Sequence, residues 1–174
     1  MQPFTISQRI DQPVAVVFDY LSDLANYSEF TDHFLVDWRM TREETFGLGA
    51  GGRFHEELRF DRFGWGDMAI VEYTPPRLIV LVGCGGKYNR IRTLTAFELS
   101  EDGDGGTAVT LTVETRPVFP SDRIVGALGQ NRARQRGWRK ALKRLSRILE
   151  HDRDRGPRAT IAGGARKPAT GLRP

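Results

Sequence analysis

The sequence predicts an α+β fold: a strongly curved seven-stranded antiparallel sheet closing around a long C-terminal helix, with two short helices between strands one and two. Three observations predict it. One strand-like segment is followed at once by two short helical stretches between Ile10 and Phe34, and strand patterns then run to Arg116. Those strand patterns are joined by short turns, which suit antiparallel neighbours, whereas a parallel pair needs a long crossover. Finally, the chain's last regular element is amphipathic, and its apolar stripe must cover something.

Strand one is Pro3 to Ile10. Asp11 and Gln12 turn the chain, and Pro13 takes the first helical position with its φ already set. Val14, Val17, Phe18 and Leu21 then recur at helical spacing, and a second helix or wide turn covers Leu24 to Thr31. Strand two is Phe34 to Arg42, with Val36, Trp38 and Met40 on one face and Asp37, Arg39 and Thr41 on the other. A Gly-rich turn from Glu43 to Gly52 leads to strand three, Arg53 to Arg62, and strand four, Gly64 to Thr74. Pro75 and Pro76, lacking N–H donors, break the ladder. The nearly continuous apolar run Arg77 to Cys84 is strand five, buried on both faces or central. Strand six is Tyr88 to Ser100, the polar hairpin Glu101 to Gly106 follows, and strand seven is Thr107 to Arg116. Pro117 and Pro120 end the sheet, and Ser121 or Asp122 caps the final helix. Its stripe is Trp138, Ala141, Leu142, Leu145, Ile148 and Leu149; Gly126, Gly129 and Gly137 weaken its first half and predict a kink or delayed start.

The 174 residues, 39% hydrophobic and 28% charged, fit one globular domain over 1–150 followed by a tail at 151–174. That tail is Arg, Gly, Pro and Ala with almost no apolar bulk, which predicts disorder. The longest apolar run, Leu78 to Cys84, is too short to span a bilayer, and the N-terminus has no signal-peptide pattern. A single cysteine, Cys84, cannot form an internal disulfide, so a cytoplasmic location is expected. Charge is uneven. Asp122 to Glu150 carries nine basic against two acidic residues, and 151–174 six against two, while the rest is acidic. Such asymmetry suits complementarity within one domain and a solvated helix face, or a partner such as RNA, anionic lipid or an acidic protein.

Several motifs in order carry a resemblance. They are Ile10, Pro13 and Val17-Phe18 at the first helix; Asp23, Tyr27 and Phe30 in the second; Gly47-Leu48-Gly49 before strand three; Val71-Glu72-Tyr73-Thr74-Pro75-Pro76-Arg77 at the end of strand four; and Gly105-Gly106-Thr107 before strand seven. Together, over residues 3–150, they resemble the START-like superfamily, also called SRPBCC or helix-grip, and in particular its polyketide cyclase/dehydrase and lipid-transport branch. The resemblance implies a ligand cavity between sheet and helix. It leaves activity open, since members include cyclases, lipid carriers and chaperone activators. The dense basic face of the last helix and the basic tail depart from the family's usual pattern.

Other motifs reduce to turns. Gly47 to Gly52 matches G-x-G-x-x-G, but a strand rather than a helix follows, so no helix N-terminus meets a pyrophosphate. Asp102 and Asp104 have no carboxylate at the twelfth loop position, which is Val113, and the three histidines lack metal-ligand spacing; no metal and no cofactor are expected. Nothing marks Cys84 as an activated nucleophile.

Polar groups on apolar strand faces are the site candidates. Glu56 shares a face with Phe54, Leu58 and Phe60, and in strand four Asp67 shares one with Trp65, Ala69, Val71 and Tyr73. Facing inward, the two carboxylates would sit near each other across the ladder and divide acid and base roles. Thr93 and Thr95 would orient a ligand oxygen, and Trp38, Trp65, Tyr73, Trp138 and Leu142 would line the same space. The first expectation is a cavity of several hundred Å³ that binds a hydrophobic small molecule such as a lipid, polyketide or isoprenoid. The second is a cyclase/dehydrase-type lyase using Glu56 and Asp67, and the third a partner-binding protein acting through the basic helix and tail. For RNA, base stacking would need aromatics interleaved with the arginines, and Trp138 lies on the apolar stripe instead.

Overall fold

The computed structural model describes residues 3–57, 64–118 and 130–161. Among them β1 (Phe4–Ile10) leads into α1 (Val14–Ser22), a 3-10 turn (Leu24–Asn26) and α2 (Tyr27–Thr31). Six strands follow: β2 (Leu35–Met40), β3 (Gly51–Glu56), β4 (Trp65–Thr74), β5 (Leu78–Gly85), β6 (Ile91–Glu101) and β7 (Thr107–Pro117). The last element is α3 (Asn131–His151). All strands join one antiparallel sheet in the order β1-β7-β6-β5-β4-β3-β2. The α+β helix-grip architecture read from the sequence is the one observed.

Packing follows the apolar stripes. On α3 the buried residues Trp138, Ala141, Leu142, Leu145 and Ile148 face the sheet. There the Trp138 ring meets Phe97 edge-on at 6.1 Å and Phe34 at 5.5 Å. Val17, Phe18 and Leu21 of α1 close the other end of the same core. Inward positions of β7 are Val109, Leu111 and Val113, as the alternation predicts. The Gly-rich turn is a turn: Gly47 and Gly49 hold φ of +71° and +86°, a region glycine enters without steric cost.

Two irregularities change which side chains face inward. In β2 the register shifts between Val36 and Arg39, where Asp37 adopts a left-handed φ of +54°. Leu35 therefore joins Trp38 and Met40 in the core, while Val36 is only half-buried and does not share their face. In β4 a second shift lies between Ile70 and Glu72. Before it Gly66, Met68 and Ile70 point inward; after it Tyr73 does, pairing with the buried Ile79. Simple alternation, which joins Tyr73 to Trp65 and Asp67, fails here because the bulge inserts one residue.

Residues 152–161, part of the tail whose composition predicts disorder, pack against the domain. Arg155 pairs with the buried Glu29 at 2.6 Å, and the Gly156 and Ala159 amides donate to the carbonyls of Glu29 and Ala25 at 2.9 and 3.0 Å. The Met40 amide donates to the Thr160 carbonyl at 3.0 Å, in a short parallel bridge on the edge of β2. These contacts are ionic and backbone-mediated, so a count of apolar bulk misses them. Residues 162–174 of that tail, the expected cap at Ser121 or Asp122, and Gly126 and Gly129 lie outside the described residues. The basic face of α3 is partly consumed internally: Arg134 pairs with Glu56, Arg144 with Asp32 and Arg147 with Asp154.

Candidate functional site

The polar centre of the sheet–helix interior is an ion pair. Glu56 ends β3 on its inward face, two residues from the buried Phe54. Arg134 lies on α3 four residues before Trp138, hence on the same stripe, and is only 5% exposed. Its Nε and Nη2 donate to the two Glu56 carboxylate oxygens at 2.7 and 2.6 Å, a bidentate geometry. Two small pockets flank the pair, of about 30 and about 40 Å³, and share Phe54, Glu56, Thr93 and Arg134 as lining. The second also touches Thr95 and Trp138.

Each pocket is the size for roughly one water molecule. The several hundred Å³ expected between sheet and helix is therefore absent among the described residues, because aromatic rings fill that space. Trp38 stacks on Phe54 at 4.9 Å, and Tyr27 meets both Trp38 and Phe97 at about 6 Å. The larger hollow, about 650 Å³, lies across the outer face of the sheet instead.

The predicted residues divide accordingly. Glu56, Phe54, Thr93, Thr95 and Trp138 come together around Arg134, with Trp38 beside Phe54. Leu142 is fully buried one turn beyond Trp138. Tyr73 faces inward but at the far end of β4, against Phe18 at 5.2 Å, about 20 Å along the strand from Phe54's partner Gly66. Leu58 lies outside the described residues.

Asp67 and Trp65 are on the other side of the sheet. Asp67 stands opposite Arg53 and approaches it at 3.7 Å, and Trp65 takes the Arg53 guanidinium over its ring at 5.3 Å. The expected neighbourhood of Glu56 and Asp67 is thus corrected. Cross-strand partners share a face, and the register pairs Arg53 with Asp67 and Phe54 with Gly66, so Glu56 and Asp67 project from opposite faces.

Sequence reasoning missed two groups. Arg134 reads as part of the basic face, although its spacing to Trp138 and Ala141 already places it on the apolar stripe. Tyr27, legible only as part of the α2 motif, is fully buried, and its hydroxyl has no hydrogen-bond partner among the described residues. Burial pushes its phenol pKa up, so the group stays neutral.

Comparison with known proteins places this geometry. The family described as polyketide cyclase / dehydrase and lipid transport matches residues 1–150. No curated protein matches the chain by sequence. Among solved structures, the KanY protein superposes with a TM-score of 0.68 at 12% identity, covering 86% of this chain and 97% of that one. TTHA0849 from Thermus thermophilus gives 0.63 at 15% identity, covering 87% and 99%. DynU16, described as a protein in the dynemicin biosynthetic locus, gives 0.58 at 15% identity, covering 90% of this chain and 50% of its own. At such identities the likeness establishes the fold alone.

Proposed function

This chain belongs to the polyketide cyclase / dehydrase and lipid transport family, and on that premise we propose that it binds a hydrophobic small molecule, of lipid, polyketide or isoprenoid type, between the sheet and α3. The observation that carries the reading is the buried Glu56–Arg134 pair set among Phe54, Trp138 and the hydroxyls of Thr93 and Thr95. Moving two charges out of water costs several kcal/mol per ion and is weak as a source of stability. A polar cluster in an aromatic interior suits a ligand that is mostly apolar and carries an oxygen to be oriented. The Tyr27 hydroxyl, without a hydrogen-bond partner among the described residues, supplies one more donor in the same core. Because the flanking pockets hold only about a water each, binding requires side chains of this core to move apart.

The dehydrase alternative loses its support. It needs two carboxylates on one site, and Asp67 is across the sheet. Both carboxylate oxygens of Glu56 are already engaged by Arg134.

Native mass spectrometry of protein purified from its own host tests the reading. A retained hydrophobic ligand is expected in the parent protein. Replacing the pair together (Glu56→Leu with Arg134→Met) should keep the fold, since apolar substitution of a whole buried pair is commonly tolerated, and lower retention by about tenfold. The single change Arg134→Met should destabilise by about 3 kcal/mol, because it strands the Glu56 carboxylate. A parent protein that carries nothing, and whose Trp138 emission ignores added fatty acids and polyketide-like aromatics, sinks the proposal.

A further inference from the structure

The outer face of the sheet carries two cross-strand rows of opposite character. The register aligns Gly51, Ala69, Val82 and Leu94 in one row across β3 to β6. It aligns Arg53, Asp67, Cys84, Arg92 and Arg116 in the next, across β3 to β7. Together they floor the hollow of about 650 Å³, which Thr41 and Arg42 bound on one side and Glu114 and Arg116 on the other. That volume lies within the range of small-molecule sites, about 300–1,000 Å³.

The apolar row is open to solvent, with Val82 and Leu94 41% and 39% exposed, and Gly51 adds no side chain at its end. In the charged row, Asp67 is taken by Arg53, and Arg116 at 2.6 Å by Glu114, which stands opposite Leu94 at the end of the other row. Arg92 and Arg42 have no ion-pair or hydrogen-bond partner among the described residues. Arg92 moreover stands directly opposite Arg116, and like charges paired across a ladder are destabilising. Glu114 relieves Arg116, so an anion seated on Arg92 supplies the missing counter-charge, and an apolar body attached to it covers the adjacent row.

We propose that this trough is a second binding site, separate from the sheet–helix interior, for a small amphipathic anion. Its carboxylate or sulfonate head sits on Arg92 beside Arg116, and its apolar body lies on Ala69, Val82 and Leu94. Charge complementarity selects the occupant: Arg116 already holds Glu114, and an anionic head supplies the partner that Arg92 lacks, which a neutral apolar molecule would not.

Cys84 is the chain's single cysteine, half-buried between Asp67 and Arg92 in the charged row, and it reports on occupancy. Octanoate and its neutral counterpart octanol are titrated while the rate of Cys84 modification by a thiol reagent and the backbone amide shifts are followed. Octanoate should slow Cys84 and shift amides of β4 to β7 on the outer face. Arg92→Gln should weaken octanoate by about tenfold and leave octanol unchanged, whereas Leu94→Asp should abolish both. In the Glu56→Leu/Arg134→Met protein, octanoate should protect Cys84 as it does in the parent. The proposal is overturned if octanoate leaves Cys84 unprotected. It is equally overturned if Cys84 protection tracks protein concentration instead, which would seat a second copy on the trough. Shifts confined to Thr95 and Trp138 with Arg92→Gln inert would also overturn it, and would favour the interior site alone.

Discussion

At the scale of single residues, buried polar atoms carry most of the information, and His33 shows how. Its Nε2 lies 3.2 Å from the Gly137 carbonyl and acts as the donor there, while Nδ1 is buried with no partner among the described residues. Protonation would therefore bury an N–H with nothing to accept it. Burial lowers the His33 pKa, the positive charges of Lys140 and Arg144 add to this, and the hydrogen bond to Gly137 opposes it. The unfolded chain, with an ordinary pKa of about 6.5, takes up the proton first as pH falls. Stability is then full above that value and declines as pH drops through it. Urea midpoints measured across this range should show the decline in the parent and a shallower one in His33→Gln; identical profiles would rule it out. Arg134 teaches the complementary point. Its place on the apolar stripe was legible in the spacing, but its partner was not, because Glu56 is far away in sequence and a charge on a helix is ordinarily read as solvated.

At the scale of elements, α3 contains a position where propensity and packing oppose each other. Gly137 sits inside the helix, where Ala is usually better by about 1 kcal/mol. A Cβ built there would approach the Phe34 ring at 2.6 Å, closer than real contacts allow. Gly137→Ala should therefore destabilise, by about 1–3 kcal/mol as overpacking typically does, and Phe34→Leu in the same chain should recover part of the loss. Thermal unfolding of the single and double variants decides it, and a raised midpoint for Gly137→Ala would contradict the packing argument. Element order and type were readable from periodicity because each strand and helix buries one face. The bulges at Asp37 and Val71 were not, since a single inserted residue leaves composition and spacing unchanged while reversing the faces beyond it.

At the scale of the whole molecule, the sheet and α3 together account for what could and could not be anticipated. The curved sheet over a terminal helix follows from element order. How much space remains between them depends on side-chain packing, and rings such as Phe97, Trp138 and Tyr27 occupy it. The outer trough depends on cross-strand register, which aligned Arg92 with Arg116 and Val82 with Leu94. Register becomes known only once the turns and bulges are placed.

Strand order also has a temporal consequence. Every neighbouring pair from β2 to β7 is a hairpin of consecutive strands, but β1 pairs with β7, setting Phe4 against Val113. The strand that precedes all others in the chain is thus among the last to find its place. Closing so long a loop costs entropy that no local contact repays in advance. Pulse-labelled hydrogen exchange during refolding should find the β6–β7 amides protected before those of β1, and simultaneous protection would argue against this sequence of events. Until then Phe4, Ile6 and Ile10 remain bare, so an N-terminal fusion that hinders docking of β1 would trap a nearly finished sheet lacking its last strand.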